Sequence, residues 1–278
     1  MKRSQDIEKS SAIRITNQAC LLDQVESFGA IMAFSLRLQK TPTYPVESLK
    51  NLNSDNSGKC DAENNLESLC ESLKVERSKI IECDQVHGEE ILILDHIPQT
   101  SLKADAIISV NSGLYPSVKT ADCVPILIID PVTRISAAIH AGWKGTVLRI
   151  TKKVVVTLKN FFGIKNKNLI ASIGPAIGSC CYQVDEIVLD PLMSSIPWAS
   201  EFTFPSTQQT KPDSRKKHLD LPGVNYRELT TLGIPQENIY FLKMCSFCNK
   251  ERLHSYRRDG SNAGRNIAIT GFRTLVRK

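Results

Sequence analysis

Apolar residues fall along this chain in two rhythms. Short runs rich in Ile, Leu and Val over 80–83, 90–94, 105–110, 125–129 and 135–140 are bounded by Asp, Pro or Gly and predict strands. Further strands are expected over 29–36, 169–173, 239–242 and 266–270. Elsewhere the spacing is helical. Leu66, Leu69, Cys70 and Leu73 recur at the interval of one buried helix face behind Asp61, a capping residue, which makes Cys70 a core residue. Across 146–162, Val147, Ile150, Val154, Leu158 and Phe161 line one face, while Arg149, Lys152, Lys153 and Lys159 turn to water. Shorter helices are expected over 184–192 and 225–232, and the polar stretches 41–60 and 205–217 read as loops.

Strands alternating with helices predict an α/β fold. The 278 residues, 41% hydrophobic and 23% charged, suffice for one large domain with a substantial core. No internal period divides them, and the longest apolar run, 126–129, is far too short to cross a bilayer. No membrane association is therefore expected. The basic start at Met1-Lys2-Arg3-Ser4 is followed at once by Asp6 and Glu8, with no apolar stretch, so neither a secretory signal nor a transit peptide is expected. Nine cysteines, two of them adjacent at Cys180 and Cys181, suit a reducing compartment better than a disulfide scaffold. Both features point to the cytoplasm, with an organelle left open.

A net charge of +6, from 35 basic and 29 acidic residues, is too mild to indicate nucleic acid. Its distribution is uneven. Over 256–278, Arg257, Arg258, Arg265, Arg273, Arg277 and Lys278 face a single acid, Asp259. Two readings stay open: a solvated tail, or an arginine among Arg257, Arg258 and Arg265 that turns inward to hold phosphate with its guanidinium fork.

Three segments carry candidate chemistry: Gln85-Val86-His87-Gly88, Thr120-Ala121-Asp122-Cys123 and Ile139-His140-Ala141-Gly142-Trp143-Lys144-Gly145. They offer two imidazoles and one thiolate. Three protein ligands leave a tetrahedral zinc one further position, the arrangement of a catalytic site. His87 and Cys123 are 36 positions apart and Cys123 and His140 are 17 apart, so only a folded core gathers them. A structural knuckle draws its ligands in close pairs, which these residues do not form. Spacing alone favours the plainer reading of a buried cysteine and two satisfied histidines.

These segments, together with the loop Ser172-Ile173-Gly174-Pro175-Ala176-Ile177-Gly178-Ser179-Cys180-Cys181-Tyr182 and the run Ser255-Tyr256-Arg257-Arg258-Asp259-Gly260 followed by Gly264-Arg265, resemble the purine nucleoside phosphorylase or laccase-domain family. Its members are also called YfiH-like or polyphenol oxidase proteins. The likeness covers roughly 28–275 and leaves 1–27 as an N-terminal extension. It implies an α/β domain of mixed β-sheet layers flanked by helices, related to the CNF-type Cys-His fold. It also implies that His87, Cys123 and His140 hold a metal and carry the catalysis. Zinc is the expected ion. The implied activities are phosphorolysis of adenosine, inosine, guanosine and methylthioadenosine and hydrolytic deamination of adenosine, with purine nucleosides and phosphate as the partners.

Supporting roles follow more weakly. Gln85 offers an amide to a base or ribose, and Trp143 a stacking face, though a core tryptophan is the plainer reading. Lys144 and Arg265 are candidates for phosphate. Arg37 stands where the family has an arginine, but the Gly-Gly usual after it is replaced by Leu38-Gln39. Cys180, Cys181 and the pair Cys245-x-x-Cys248 read as packed or free thiols, the last pair being only half a zinc knuckle. No role is assigned to His96, His218 or His254. One rival reading makes Cys123 a nucleophile with His140 as its base and no metal. Another is a zinc-stabilised adaptor without activity. Copper oxidation of phenols is disfavoured, because the five histidines include no His-x-His pair.

Overall fold

The structure is a computed structural model that describes residues 13–16, 18–37, 66–205 and 216–274. In chain order its strands begin with β1 (Ile13–Ile15), β2 (Ala19–Leu22), β3 (Ala30–Ser35), β4 (Ile80–Ile81) and β5 (Ile91–Leu94). Then come β6 (Ala106–Ser109), β7 (Tyr115–Thr120), β8 (Val124–Asp130), β9 (Ile135–Ala141) and β10 (Ile170–Ile173). The remainder are β11 (Gln183–Val184), β12 (Thr203–Pro205), β13 (Lys217–Leu219), β14 (Ile239–Phe241) and β15 (Asn266–Phe272). The helices are α1 (66–73), α2 (Trp143–Val147), α3 (Ile150–Phe162), α4 (Glu186–Ser195), α5 (Leu221–Thr231) and α6 (Tyr256–Asp259).

Two mixed six-stranded sheets, ordered β1-β2-β3-β15-β7-β4 and β14-β10-β8-β9-β6-β5, stack on each other, and a small sheet β11-β13-β12 lies apart. Strand alternation builds the layers. In β3, Met32 and Phe34 enter the core between the sheets, where they join Leu127 and Ile129 of β8 and Ala138 of β9. The alternate residues Ile31 and Ala33 pack outward against Leu66, Leu69, Cys70 and Leu73 of α1. On the far side of the second sheet, Ile126, Ile128, Ala137 and Ile139 pack against Ile150, Val154 and Leu158 of α3. Because both faces of β8 and β9 are covered, their sequences read as continuous apolar runs. The expected fold class of mixed β-sheet layers flanked by helices is the one observed.

Several elements depart from expectation for local reasons. The helix expected over 146–162 is two helices, α2 and α3, broken at Arg149, whose φ of 61° is left-handed and non-helical. Phe161 is 76% exposed instead of buried. Residues of the N-terminal extension supply β1 and β2, with Cys20 and Leu22 buried in the inter-sheet core. β7 was not expected, since Tyr115-Pro116-Ser117-Val118-Lys119-Thr120 lacks an apolar run, yet its pairing with β15 buries all but Lys119. The loop expected over 41–60 and the cap Asp61 lie outside the described residues, as does most of 205–217.

Candidate metal centre

The second sheet gathers the site at one end. β6 and β9 are antiparallel with Ala106 opposite Ile139, so the next step along the ladder sets Asp105 opposite His140, and the His140 N–H donates to the Asp105 carbonyl at 2.7 Å. Cys123 stands immediately before β8, whose Val124 pairs with Ala141. His87 lies on the turn between β4 and β5. Ring centroids of His87 and His140 are 4.8 Å apart and nearly perpendicular, and Cys123 Sγ is 3.9 Å from His87 Nε2. The three ligand atoms lie within 4.8 Å of one another. The fold thus brings together the three residues named from sequence.

Asp105, fully buried, organises the group. Its Oδ1 accepts from His140 Nδ1 at 2.7 Å and from the His87 N–H at 3.0 Å, and its Oδ2 accepts from the N–H groups of Val86 and Gly88 at 3.2 and 2.6 Å. Burial works against its charge, but the bonds from His140, Gly88 and Val86 prevail and hold the carboxyl below the usual range. Those backbone bonds also pin His87 at a φ of 59°, a left-handed conformation that costs a non-glycine residue about 1 to 3 kcal/mol. With Nδ1 engaged by the carboxylate, His140 meets Cys123 through its other nitrogen.

Asp122, at a φ of 88°, is pinned in a similar way on the turn that presents Cys123. Its carboxylate accepts from Ser246 Oγ at 2.5 Å and the Arg257 N–H at 2.6 Å, and its carbonyl accepts from the Ile177 N–H at 2.9 Å. Burial opposes ionisation of Cys123, yet hydrogen bonds with His140 and His87 bring its thiol down to about 7. For His140, burial opposes protonation, but Asp105 and Cys123 raise it to about 9. Gly142, which begins α2, is a close-approach position: a Cβ there would lie 3.0 Å from Cys123 Sγ and 3.2 Å from the His87 ring.

Two imidazoles and a thiolate, one imidazole oriented by a buried carboxylate, form a donor set that fits a borderline or soft divalent ion. Metal–ligand bonds of about 2.0 to 2.3 Å require ligand separations near 3.5 Å, slightly tighter than those seen. Copper and zinc both suit such donors, so the donor types establish a candidate metal centre without choosing the ion.

The other sequence candidates are dispersed in role. Both ends of the Gln85 amide bond the Lys119 backbone, at 2.8 Å to its carbonyl and 2.7 Å from its N–H, which stitches the His87 turn to β7. Lys144 is exposed, its Nζ 5.6 Å from the half-buried Trp143 ring. Arg37 donates its N–H to the Arg252 carbonyl, and Arg265 donates to the carbonyls of Ala263 and Gly264. Arg258 turns inward but spends its guanidinium on Asp259 and the carbonyls of Ser246, Phe247 and Leu253. Arg257 donates to the Gln183 carbonyl and sits over the Tyr182 ring. Asp105 and Asp122 went unrecognised in the sequence. A lone acid beside the apolar run Ala106-Ile107-Ile108 was the available signal for Asp105.

This fold, with a His/Cys/His centre at the ends of two strands, defines an α/β protein of the YfiH and YlmD type. A family model described as multi-copper polyphenol oxidoreductase laccase matches residues 31–273. The chain is 31% identical over 222 residues to purine nucleoside phosphorylase YlmD of Geobacillus stearothermophilus, covering 77% of this chain and 79% of that protein. It is 35% identical over 161 residues to adenosine deaminase RL5 of an unknown prokaryotic organism, covering 58% of this chain and 59% of that one. The crystal structure of YfiH from Bacillus licheniformis superposes with a TM-score of 0.79 at 27% identity, covering 94% of this chain and 99% of that one. The chain belongs to the purine nucleoside phosphorylase and laccase-domain family. Among the described residues, no helix is long and apolar enough to cross a membrane.

Proposed function

We propose that this chain is a cytoplasmic, zinc-dependent purine nucleoside enzyme, with one catalytic domain over 28–275. Its reactions are phosphorolysis of adenosine, inosine, guanosine and methylthioadenosine, and hydrolytic deamination of adenosine. The observation that carries this reading is the convergence of His87, Cys123 and His140 about a buried carboxylate that orients one of the rings. The relatives named purine nucleoside phosphorylase and adenosine deaminase support the reaction classes.

His87, Cys123 and His140 would hold the ion, which when bound supplies Lewis acidity. Asp105 keeps the His140 proton on Nδ1 and so directs the other ring nitrogen toward the site. The exposed edge of His87 leaves the centre open to a ligand from solvent. Phosphorolysis joins a phosphate oxygen to the sugar carbon as the base departs; deamination joins a water oxygen to the purine carbon as ammonia departs. Lys144, Arg37 and Arg265 are proposed to meet phosphate, and the amide hydrogen of Gln85 left over from Lys119 to meet the nucleoside.

A metal-free reading, with Cys123 as nucleophile and His140 as base, draws support from the thiol lowered to about 7. The two part on chelation. Zinc-dependent turnover is lost with a chelator and restored by added zinc, whereas a thiol hydrolase survives the chelator and is lost on alkylation. Incubation of the pure protein with adenosine, with and without phosphate, tests the reaction class: phosphate-dependent adenine marks phosphorolysis and inosine marks deamination. Formation of neither adenine nor inosine would refute the proposal.

A further inference from the structure

Apart from the His/Cys/His centre, a second set of soft ligands converges. The sulfurs of Cys180, Cys181, Cys245 and Cys248 all lie within 4.8 Å of one another. We propose that these four cysteines form a closed tetrathiolate zinc site, structural in role, that clamps the glycine-rich loop after β10 to the Cys245-x-x-Cys248 turn after β14. The inference does not depend on the nucleoside chemistry proposed above.

The backbone explains how residues some 67 positions apart meet. β10 and β14 pair in parallel, and just beyond their ends Ala176 bridges Cys245, with the Ser246 N–H donating to the Ala176 carbonyl at 2.9 Å. A tight turn, with the Cys181 N–H donating to the Gly178 carbonyl at 2.9 Å, brings the adjacent Cys180 and Cys181 to the same group. Cys248 Sγ is 3.3 Å from Cys181 Sγ and 3.7 Å from Cys180 Sγ. Zinc–sulfur bonds of about 2.3 Å give a tetrahedron with sulfur–sulfur edges of about 3.8 Å, close to these separations. All four are free cysteines, and Cys180 and Cys248 are exposed, where thiols at such distances would be open to oxidation unless sequestered.

The surroundings suit thiolates. The Gly178 N–H donates to Cys245 Sγ at 3.3 Å, and the Arg258 guanidinium, paired with Asp259, donates to the Ser246 and Phe247 carbonyls and so braces the turn that carries Cys245 and Cys248. Packed this closely, the sulfurs resist ionising together, and a divalent cation removes that resistance. Four protein ligands leave no position for substrate, which makes the site structural. Its consequence reaches the other centre: Ser246, between Cys245 and Cys248, is the residue that bonds Asp122 beside Cys123.

Zinc counted by mass spectrometry on the full-length purified protein tests this. The expected result is two zinc per wild-type chain. Cys123→Ala should retain one, and X-ray absorption on that variant should give an all-sulfur shell. Cys248→Ser should lose one zinc and melt at lower temperature; if it is insoluble, the Cys123→Ala measurements decide alone. A folded Cys123→Ala protein without zinc, or disulfides among the four cysteines in unreduced protein, would overturn the proposal.

Discussion

Asp105 and His140 face each other across antiparallel β6 and β9, joined twice: the His140 backbone N–H donates to the Asp105 carbonyl, and the Asp105 carboxylate accepts a hydrogen bond from His140 Nδ1 at 2.7 Å. One strand register therefore fixes both the position of the imidazole and its tautomer. The same carboxylate holds the left-handed His87 turn through three backbone N–H groups. Two of the three proposed ligands depend on a residue that touches no ion.

Asp105→Asn should accordingly weaken metal binding by about 10- to 100-fold, the usual effect of losing such an orienting partner. The amide cannot accept from both Nδ1 and three N–H groups, so stability should fall as well, by about 1 to 3 kcal/mol. Chelator competition and thermal melting measure the two effects. Unchanged metal affinity would remove Asp105 from the account.

The charge state of Cys123 has a pH signature. Its thiol is lowered from the ordinary value near 9 to about 7, so between these values it is a thiolate where a free cysteine is still protonated. In metal-stripped protein, alkylation of Cys123 should rise with a midpoint near pH 7 and fall away below it as the sulfur is protonated. His140→Phe removes a bond that favours the thiolate and should move the midpoint upward. A midpoint near 9 in the wild type would contradict the geometry.

Gly142→Ala should strip function without unfolding the chain. The glycine has a φ of −68°, which alanine accepts, but the new methyl would crowd Cys123 Sγ and His87. Bound metal and turnover should drop together by at least tenfold while the circular dichroism spectrum is preserved. Full metal occupancy in this variant would place the ion elsewhere.

Lys144 is exposed, so Lys144→Ala should change stability by no more than about 0.5 kcal/mol. If it meets phosphate, the KM for phosphate should rise roughly tenfold, a loss of about 1.4 kcal/mol. Deamination of adenosine, which uses no phosphate, should be spared. Equal effects on both reactions would reassign Lys144 to the nucleoside.

Most of the layered fold was legible because β8 and β9 are apolar on both faces and α1 and α3 repeat their apolar residues at helical spacing. β7 was hidden because its burial comes from its neighbours and not from its own Pro, Ser and Lys. The α2–α3 break was hidden because Arg149 gives no sign in sequence of its left-handed backbone. The trio His87, Cys123 and His140 was visible as motifs, while Asp105 resembled an ordinary strand boundary. The four cysteines looked like unrelated thiols, since their meeting depends on the pairing of β10 with β14.

Zinc content and adenosine turnover, measured side by side in wild-type and Cys123→Ala protein, test the central claim most directly. The account expects the variant to lose one equivalent of zinc and its product formation together while remaining folded. A variant that keeps the wild-type zinc content, or one that loses that equivalent and still turns over adenosine at the wild-type rate, would contradict it.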